Sequence, residues 1–175
     1  MSAQPQSDVR AAVADAYRKH NGLVYKLALR YGRGSRAFAD DVTQDVFVQL
    51  LKHAPTLTEL GELEGWLYRV TTRRCLTKLR NEKIVGMLTL RWLRPDAEPE
   101  VDPHALYGAR DELKRAFLTL SRLPDKERVT FSMFHLDGLT VDEIGATLGI
   151  SKGYVSKLIS RAEQALRAQG WEVSS

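Results

Sequence analysis

The sequence predicts an all-α protein built as two small helical domains joined by a flexible acidic linker. Three observations carry that expectation. Apolar residues recur at helical spacing along the chain, and no strand-like alternation occurs anywhere. Pro95, Pro99 and Pro103 fall within nine residues, among Asp96, Glu98, Glu100 and Asp102, a composition that breaks regular structure and keeps the chain solvated. Finally, Leu139–Arg167 reads as two helices around a tight turn. The domains follow as residues 8–83 and 109–169, with the linker at 84–108.

The chain has 175 residues, of which 27% are charged and 43% hydrophobic. That suits a folded soluble protein of one ordinary or two small domains. The net charge of +4 is modest, but its distribution is informative. Residues 1–83 hold 14 Lys/Arg against 9 Asp/Glu, whereas residues 111–175 hold 9 of each. The positive excess therefore sits in the first domain, where it suggests a surface for a polyanion. The single cysteine, Cys75, excludes an internal disulfide and a multi-cysteine zinc site. His20, His53, His104 and His135 lack metal-ligand spacing, so neither a metal nor a cofactor is expected. No stretch is long and apolar enough to enter a membrane, and MSAQPQSDVR lacks an apolar signal core. A cytoplasmic protein is the default expectation.

In chain order, residues 1–7 read as a disordered lead. A first helix is expected from Ser7 or Asp8 to about Tyr31, with Val13, Tyr17, Val24, Leu27, Ala28 and Tyr31 on its inner face. Gly22 is a mild defect in it, and Gly32 and Gly34 end it. A second helix covers Phe38–His53, with Val42, Val46, Phe47, Leu50 and Leu51 inward and Asp41, Gln44, Asp45 and Gln49 outward. Spacing alone makes that outer face a solvated surface.

After a polar loop at Thr56–Glu64, the helix Gly65–Lys83 carries six cations against one acid between residues 66 and 83. Arg69, Arg73, Arg80 and Lys83 form a stripe, with Trp66 and Tyr68 at the start and Trp66 expected in the core. Phosphates pair with such cations and unstacked bases meet aromatic rings, so the stripe suits a nucleic-acid strand. The alternative is a basic solvated helix. Arg74 falls toward the apolar side and has no obvious role.

In the second domain, Leu113, Phe117 and Leu120 mark one helix. Pro124 suits the first helical position of the next, which carries Val129, Met133 and Leu136 and closes at Asp137-Gly138. Thr140 and Glu143 have capping-box spacing, Gly149 stands where the chain must reverse, and Ser151 can cap the last helix. Gly145 permits a close approach between helices. Val155, Leu158, Ile159, Ala162 and Leu166 form the buried stripe of the last helix. Gly153, Lys157, Ser160, Arg161 and Gln164 lie opposite, small or hydrogen-bonding or cationic, as a major-groove face requires. The alternative is an ordinary helical hairpin.

Three segments in order, covering about Asp8 to Arg167, resemble the extracytoplasmic-function group of bacterial RNA polymerase sigma factors. DDVTQDVFVQLL is similar to that family's DLVQETFL-type segment, and GWLYRVTTRRCLTKLR to its WLYRIARN…LDYLR-type segment. The stretch from Leu120 to Ala162 resembles its L-P…R…F…GL-S-Y-x-E-I-A-x-x-L-G-I-S-x-G-T-V-K-S-R-L-x-R-A pattern. The resemblance implies a helix-turn-helix (winged-helix-like) second domain and a set of roles. Asp41, Gln44, Asp45 and Gln49 would dock on the coiled coil of the polymerase β′ subunit. Thr58, Arg69, Thr72, Arg73 and Arg80 would capture the melted −10 promoter strand. Lys152, Gly153, Tyr154, Lys157, Ser160, Arg161 and Gln164 would read the −35 element. The linker would run through the polymerase interior, the last domain would also meet the β-subunit flap, and an anti-sigma factor is an implied partner.

Two departures stand out. Val155-Ser156-Lys157-Leu158-Ile159 replaces V-K-S-R-L, leaving the recognition helix less basic than the pattern, and the loop at Thr56–Glu64 carries Glu59, Glu62 and Glu64 in place of aromatic residues. The implied function is promoter recognition for polymerase, without catalysis by this chain. An autonomous helix-turn-helix regulator acting without polymerase is the second reading. A nucleic-acid-processing enzyme would need clustered carboxylates or a nucleophile–base pair, and the acids here lie on helix faces or in the linker.

Overall fold

The computed structural model describes residues 4–53, 63–90 and 111–171, and every element among them is helical. These are α1 (Gln4–Tyr31), α2 (Arg36–His53), α3 (Leu63–Leu90), α4 (Asp111–Arg122), α5 (Asp125–Phe131), α6 (Val141–Leu148) and α7 (Lys152–Arg167). The all-α expectation holds; no strand occurs among the described residues, so the winged-helix comparison extends to the helices alone. Backbone contacts group the chain into two compact units, Met1–Cys75 and Leu76–Ser175.

In the first unit α1 and α2 form an αα-hairpin across the four-residue turn 32–35. Ser35 caps α2, its hydroxyl accepting from the Phe38 N–H at 3.2 Å. The inner stripes meet as periodicity requires: Val24, Leu27, Ala28 and Tyr31 of α1 are buried, as are Val42, Val46, Phe47 and Leu50 of α2. Leu67 and Cys75 of α3 are buried too. Two expected core positions of the hairpin differ. Tyr17 is 46% exposed and Leu51 42% exposed, at the edge of the hairpin. Residues 4–7, expected within a disordered lead, are helical, because α1 begins at Gln4. Likewise α3 continues past Lys83 to Leu90, so the linker expected from residue 84 starts within a helix. Its acidic, proline-rich part lies outside the described residues.

In the second unit, Pro124 stands one position before α5, as its N-cap. Among the described residues the largest fully buried side chain is that of Arg128. Its guanidinium donates to the Leu123 carbonyl at 2.9 Å and to Asp125 at 2.8 Å, closing the α4–α5 turn. A charge this deep is tolerated only when paired and hydrogen-bonded. Beyond α5 the helix widens into a π turn over Ser132–Leu136, where the Asp137 N–H donates to the Ser132 carbonyl at 3.0 Å. The extra residue in that turn shifts the register. Leu136, expected inward, is therefore turned out and 53% exposed.

The helix-turn-helix forms as its local signals dictate. Thr140 and Glu143 make a reciprocal capping box, with the Thr140 N–H donating to the Glu143 carboxylate at 2.8 Å. Gly149 ends α6 in the left-handed conformation, φ +68°. Ser151 caps α7, accepting from the Tyr154 N–H at 3.3 Å. A Cβ on Gly145 would stand 2.9 Å from the Ile150 carbonyl oxygen, so glycine is demanded there by close approach of the turn. Leu123, Phe131, Ala162 and Leu166 form a core cluster against which Trp171 packs. The Trp171 indole N–H also donates to Thr119 of α4 at 3.1 Å.

Two outcomes follow. Gly145→Ala should lower stability in chemical denaturation by about 1–3 kcal/mol, since backbone must move. Gly22→Ala, in open space within α1, should raise it by about 0.5–1 kcal/mol. Separately, the Thr140 backbone N–H and then its hydroxyl hold the Glu143 carboxyl below the ordinary carboxylate range. A lowered folded-state pKa gives stability that is present above the unfolded value and lost as pH falls through the folded one. Glu143→Gln keeps the capping geometry without the titration. The gap in melting temperature between wild type and this variant should therefore narrow as the pH falls below the ordinary carboxylate range; a pH-independent gap would contradict the capping assignment.

Candidate nucleic-acid interfaces

The last helix divides into two faces. Val155, Leu158, Ile159, Ala162 and Leu166 are buried. Lys152, Gly153, Tyr154, Lys157, Ser160, Arg161 and Gln164 are all exposed. Every residue expected to read duplex DNA from this helix is thus accessible. Its first turn is fixed from two sides: Ser151 caps it, and Lys152 makes an ion pair with Asp142 of α6. At the other end Glu163 bonds His135 of the π turn at 3.0 Å. This arrangement holds a polar, cationic helix face on a rigid scaffold, as major-groove recognition requires.

On α3, Arg69, Arg73 and Arg80 are exposed, at helical spacing along one side. Thr72 departs from expectation. It is fully buried, and its hydroxyl donates to the Tyr68 carbonyl at 2.9 Å. Thr71, also buried, makes the same back-bond to Leu67 at 2.6 Å. Both hydroxyls are consumed within the helix, so Thr72 supports the arginine-bearing face from beneath. Trp66, expected in the core, is half-buried, its ring centroid 6.1 Å from that of His53. Thr58 lies outside the described residues. What α3 presents is a cationic helix side with Trp66 and Tyr68 partly accessible at its start.

The outward face of α2 carries Asp41 and Gln44 exposed, with Asp45 and Gln49 half-exposed. Asp45 is engaged by Arg74, whose Nε and terminal nitrogen lie 3.0 and 2.9 Å from its carboxylate. That contact accounts for the arginine that periodicity left without a role: it ties α3 to α2. Beside this face runs a groove of about 480 Å³ between α1 and α2, bordered by Tyr17, Gln44, Phe47, Val48 and Leu51. Tyr17 meets Phe47 edge-on, with centroids 4.8 Å apart. Sequence reasoning missed the groove because it placed Tyr17 and Leu51 in the core; exposed Val48, off the inner stripe, was the available signal.

Among the described residues no group of three His, Cys, Asp or Glu side chains could hold a metal ion. None of the described helices is long and apolar enough to cross a membrane.

Comparison with known proteins adds the following. Residues 16–84 match the Sigma-70 region 2 family and residues 119–168 the Sigma-70 region 4 family. The ECF RNA polymerase sigma factor SigE of Mycolicibacterium smegmatis is 34% identical over 154 residues, which is 86% of this chain and 58% of that protein. SigI of Mycobacterium tuberculosis, a probable ECF RNA polymerase sigma factor by its description, is 32% identical over 88% of this chain and 54% of its own length. The chain thus spans little more than half the length of these two relatives. It covers 76% of the ECF sigma factor SigM of Mycobacterium tuberculosis, at 27% identity. The solved structure of the sigma factor RpoE of Bartonella quintana, in complex with the anti-sigma factor NepR, shares the fold: its TM-score is 0.64 at 17% identity, covering 89% of this chain and 94% of that one.

The Arg74–Asp45 pair is about two-fifths exposed on both sides. A double-mutant cycle with Arg74→Ala and Asp45→Ala, read by chemical denaturation, should therefore give a coupling energy under about 1 kcal/mol. A larger value would mean the pair is screened from water far more than its exposure implies.

Proposed function

The chain belongs to the extracytoplasmic-function group of the sigma-70 family, and on that premise we propose that it is a promoter-specificity subunit of bacterial RNA polymerase. It binds the core enzyme, directs it to promoters through their −10 and −35 elements, and assists melting; polymerase carries out the chemistry and this chain none. It works in the cytoplasm, where the polymerase and its promoters are.

The observation that carries this reading is the exposed arginine side of α3 in the same chain as an accessible recognition helix. A lone duplex-binding regulator needs only the second. Strand opening needs the first as well, because separated strands must be held. Arg69, Arg73 and Arg80 meet the phosphates of the displaced −10 strand, and the partly accessible rings of Trp66 and Tyr68 offer stacking to unpaired bases. Each stacked base contributes about 1–3 kcal/mol, comparable with the mean of about 1.4 kcal/mol for each base-pair step that opens.

Domain roles follow the expected boundaries. Residues 8–83 bind core polymerase and the −10 element, the acidic linker expected at 84–108 passes through the polymerase interior once α3 has ended at Leu90, and residues 109–169 read the −35 element and meet the β flap. Asp41, Gln44 and Gln49 face the β′ coiled coil, with Asp45 held in register by Arg74. The groove beside Gln44 extends that docking surface with apolar area. An anti-sigma factor, the kind of partner named for the Bartonella structure, completes the set of partners.

Run-off transcription with core polymerase over a promoter library tests the reading. Initiation that depends on added chain and on promoter sequence is expected. Tight duplex binding with no binding to core polymerase would instead support the autonomous regulator. Within the same assay, Arg73→Ala should reduce open-complex formation more than closed-complex binding; equal loss in both would remove Arg73 from the strand-holding surface.

A further inference from the structure

Lys126 is the second residue of α5 and is exposed. Its ammonium lies 5.7 Å from the centroid of the Tyr154 ring. Tyr154 is the third residue of the recognition helix and is 37% exposed. We infer that Lys126 and Tyr154 act as one reading unit at the −35 element. Tyr154 discriminates a base, and Lys126 positions the ring while contacting the adjoining phosphate. The inference rests on α7 being the −35 reader and adds to it a residue from a different helix.

The residues at the start of a recognition helix are the ones that reach base edges. Tyr154 sits there with its backbone fixed, its N–H directed to both the hydroxyl and the carbonyl of Ser151. A tyrosine ring has only two torsions left, and the ammonium over its face narrows them. The ring edge then offers apolar contact to a thymine methyl. The ammonium keeps its N–H donors while lying against the ring, so it can bond a phosphate at the same time.

The family pattern described above has threonine after the glycine, where this chain has Tyr154. Threonine has no ring to hold a cation. The pairing is also exposed, where a cation–π contact adds little to folding, which points to use at a surface.

The test uses the full chain with core polymerase and a promoter library randomised across the −35 element, with melting temperatures confirming that each variant folds. Tyr154→Thr should remove a base preference of roughly tenfold at one position, and Tyr154→Phe, which keeps the ring, should restore most of it. Lys126→Gln should weaken binding to all sequences and lower the salt slope by about 0.9. It should also relax the same base position that Tyr154→Thr relaxes. A preference unmoved by Tyr154→Thr, or a wild-type salt slope in Lys126→Gln, overturns the inference while promoter-dependent initiation by wild type leaves the sigma-factor reading standing. Failure of wild type to initiate at all overturns both.

Discussion

The second unit depends on how closely the Gly149 turn packs onto α6 at Gly145. The Gly145 carbonyl accepts from the N–H groups of Gly149 and Ile150, at 2.8 and 3.1 Å. Its missing Cβ leaves room for the Ile150 carbonyl oxygen. With the turn held that near, Val155 falls within van der Waals reach of the same spot, 3.9 Å from where a Cβ would stand. The angle at which α7 leaves the turn is thereby set by backbone rather than by long side chains. Everything asked of the recognition helix follows from that: five apolar residues turn inward and a polar face turns out. The −35 reading proposed for this face needs side chains held to a fraction of an ångström, which flexible contacts could not provide.

The first unit uses a different device for the same end. Here the cationic side of α3 must stand out while its opposite side packs. Thr71 and Thr72 satisfy their own hydroxyls within the helix, so they can be buried without partners from elsewhere. Arg74 departs from the exposed stripe and is spent on Asp45 of α2. The charge that would otherwise be misplaced instead fixes α3 against the hairpin, and Arg69 and Arg73 remain outward on a helix that is held in place.

The parts legible in the sequence were those fixed by short-range chemistry. The capping box at Thr140, the left-handed Gly149, the cap at Ser151 and the buried stripe of α7 each depend on residues within a few positions of one another, and each formed as read. The parts that were not legible depend on distant partners or on register. Thr72 was placed at the captured strand by the family resemblance, but whether its hydroxyl turns back into the helix is decided by packing on the far side. Leu136 was placed inward by a period of 3.6, which the π turn abolishes. The bond from Trp171 to Thr119 spans 52 residues, and no periodicity reports it. Arg128, read only as part of a family pattern, is the buried clasp of the α4–α5 turn.

That long bond between Trp171 and Thr119 has a consequence for how the chain is made. It joins α4 to the residues after α7, and the apolar cluster around it likewise draws on Leu123, before α5, and Leu166, near the end of α7. Contacts so far apart in sequence close last and cost loop entropy before they give anything back. On a ribosome, α4 to α6 emerge with an incomplete core, and the unit cannot seal until residue 171 has cleared the exit. α7 is therefore among the last helices to be secured, and a chain cut before Trp171 leaves its inner face incompletely sealed.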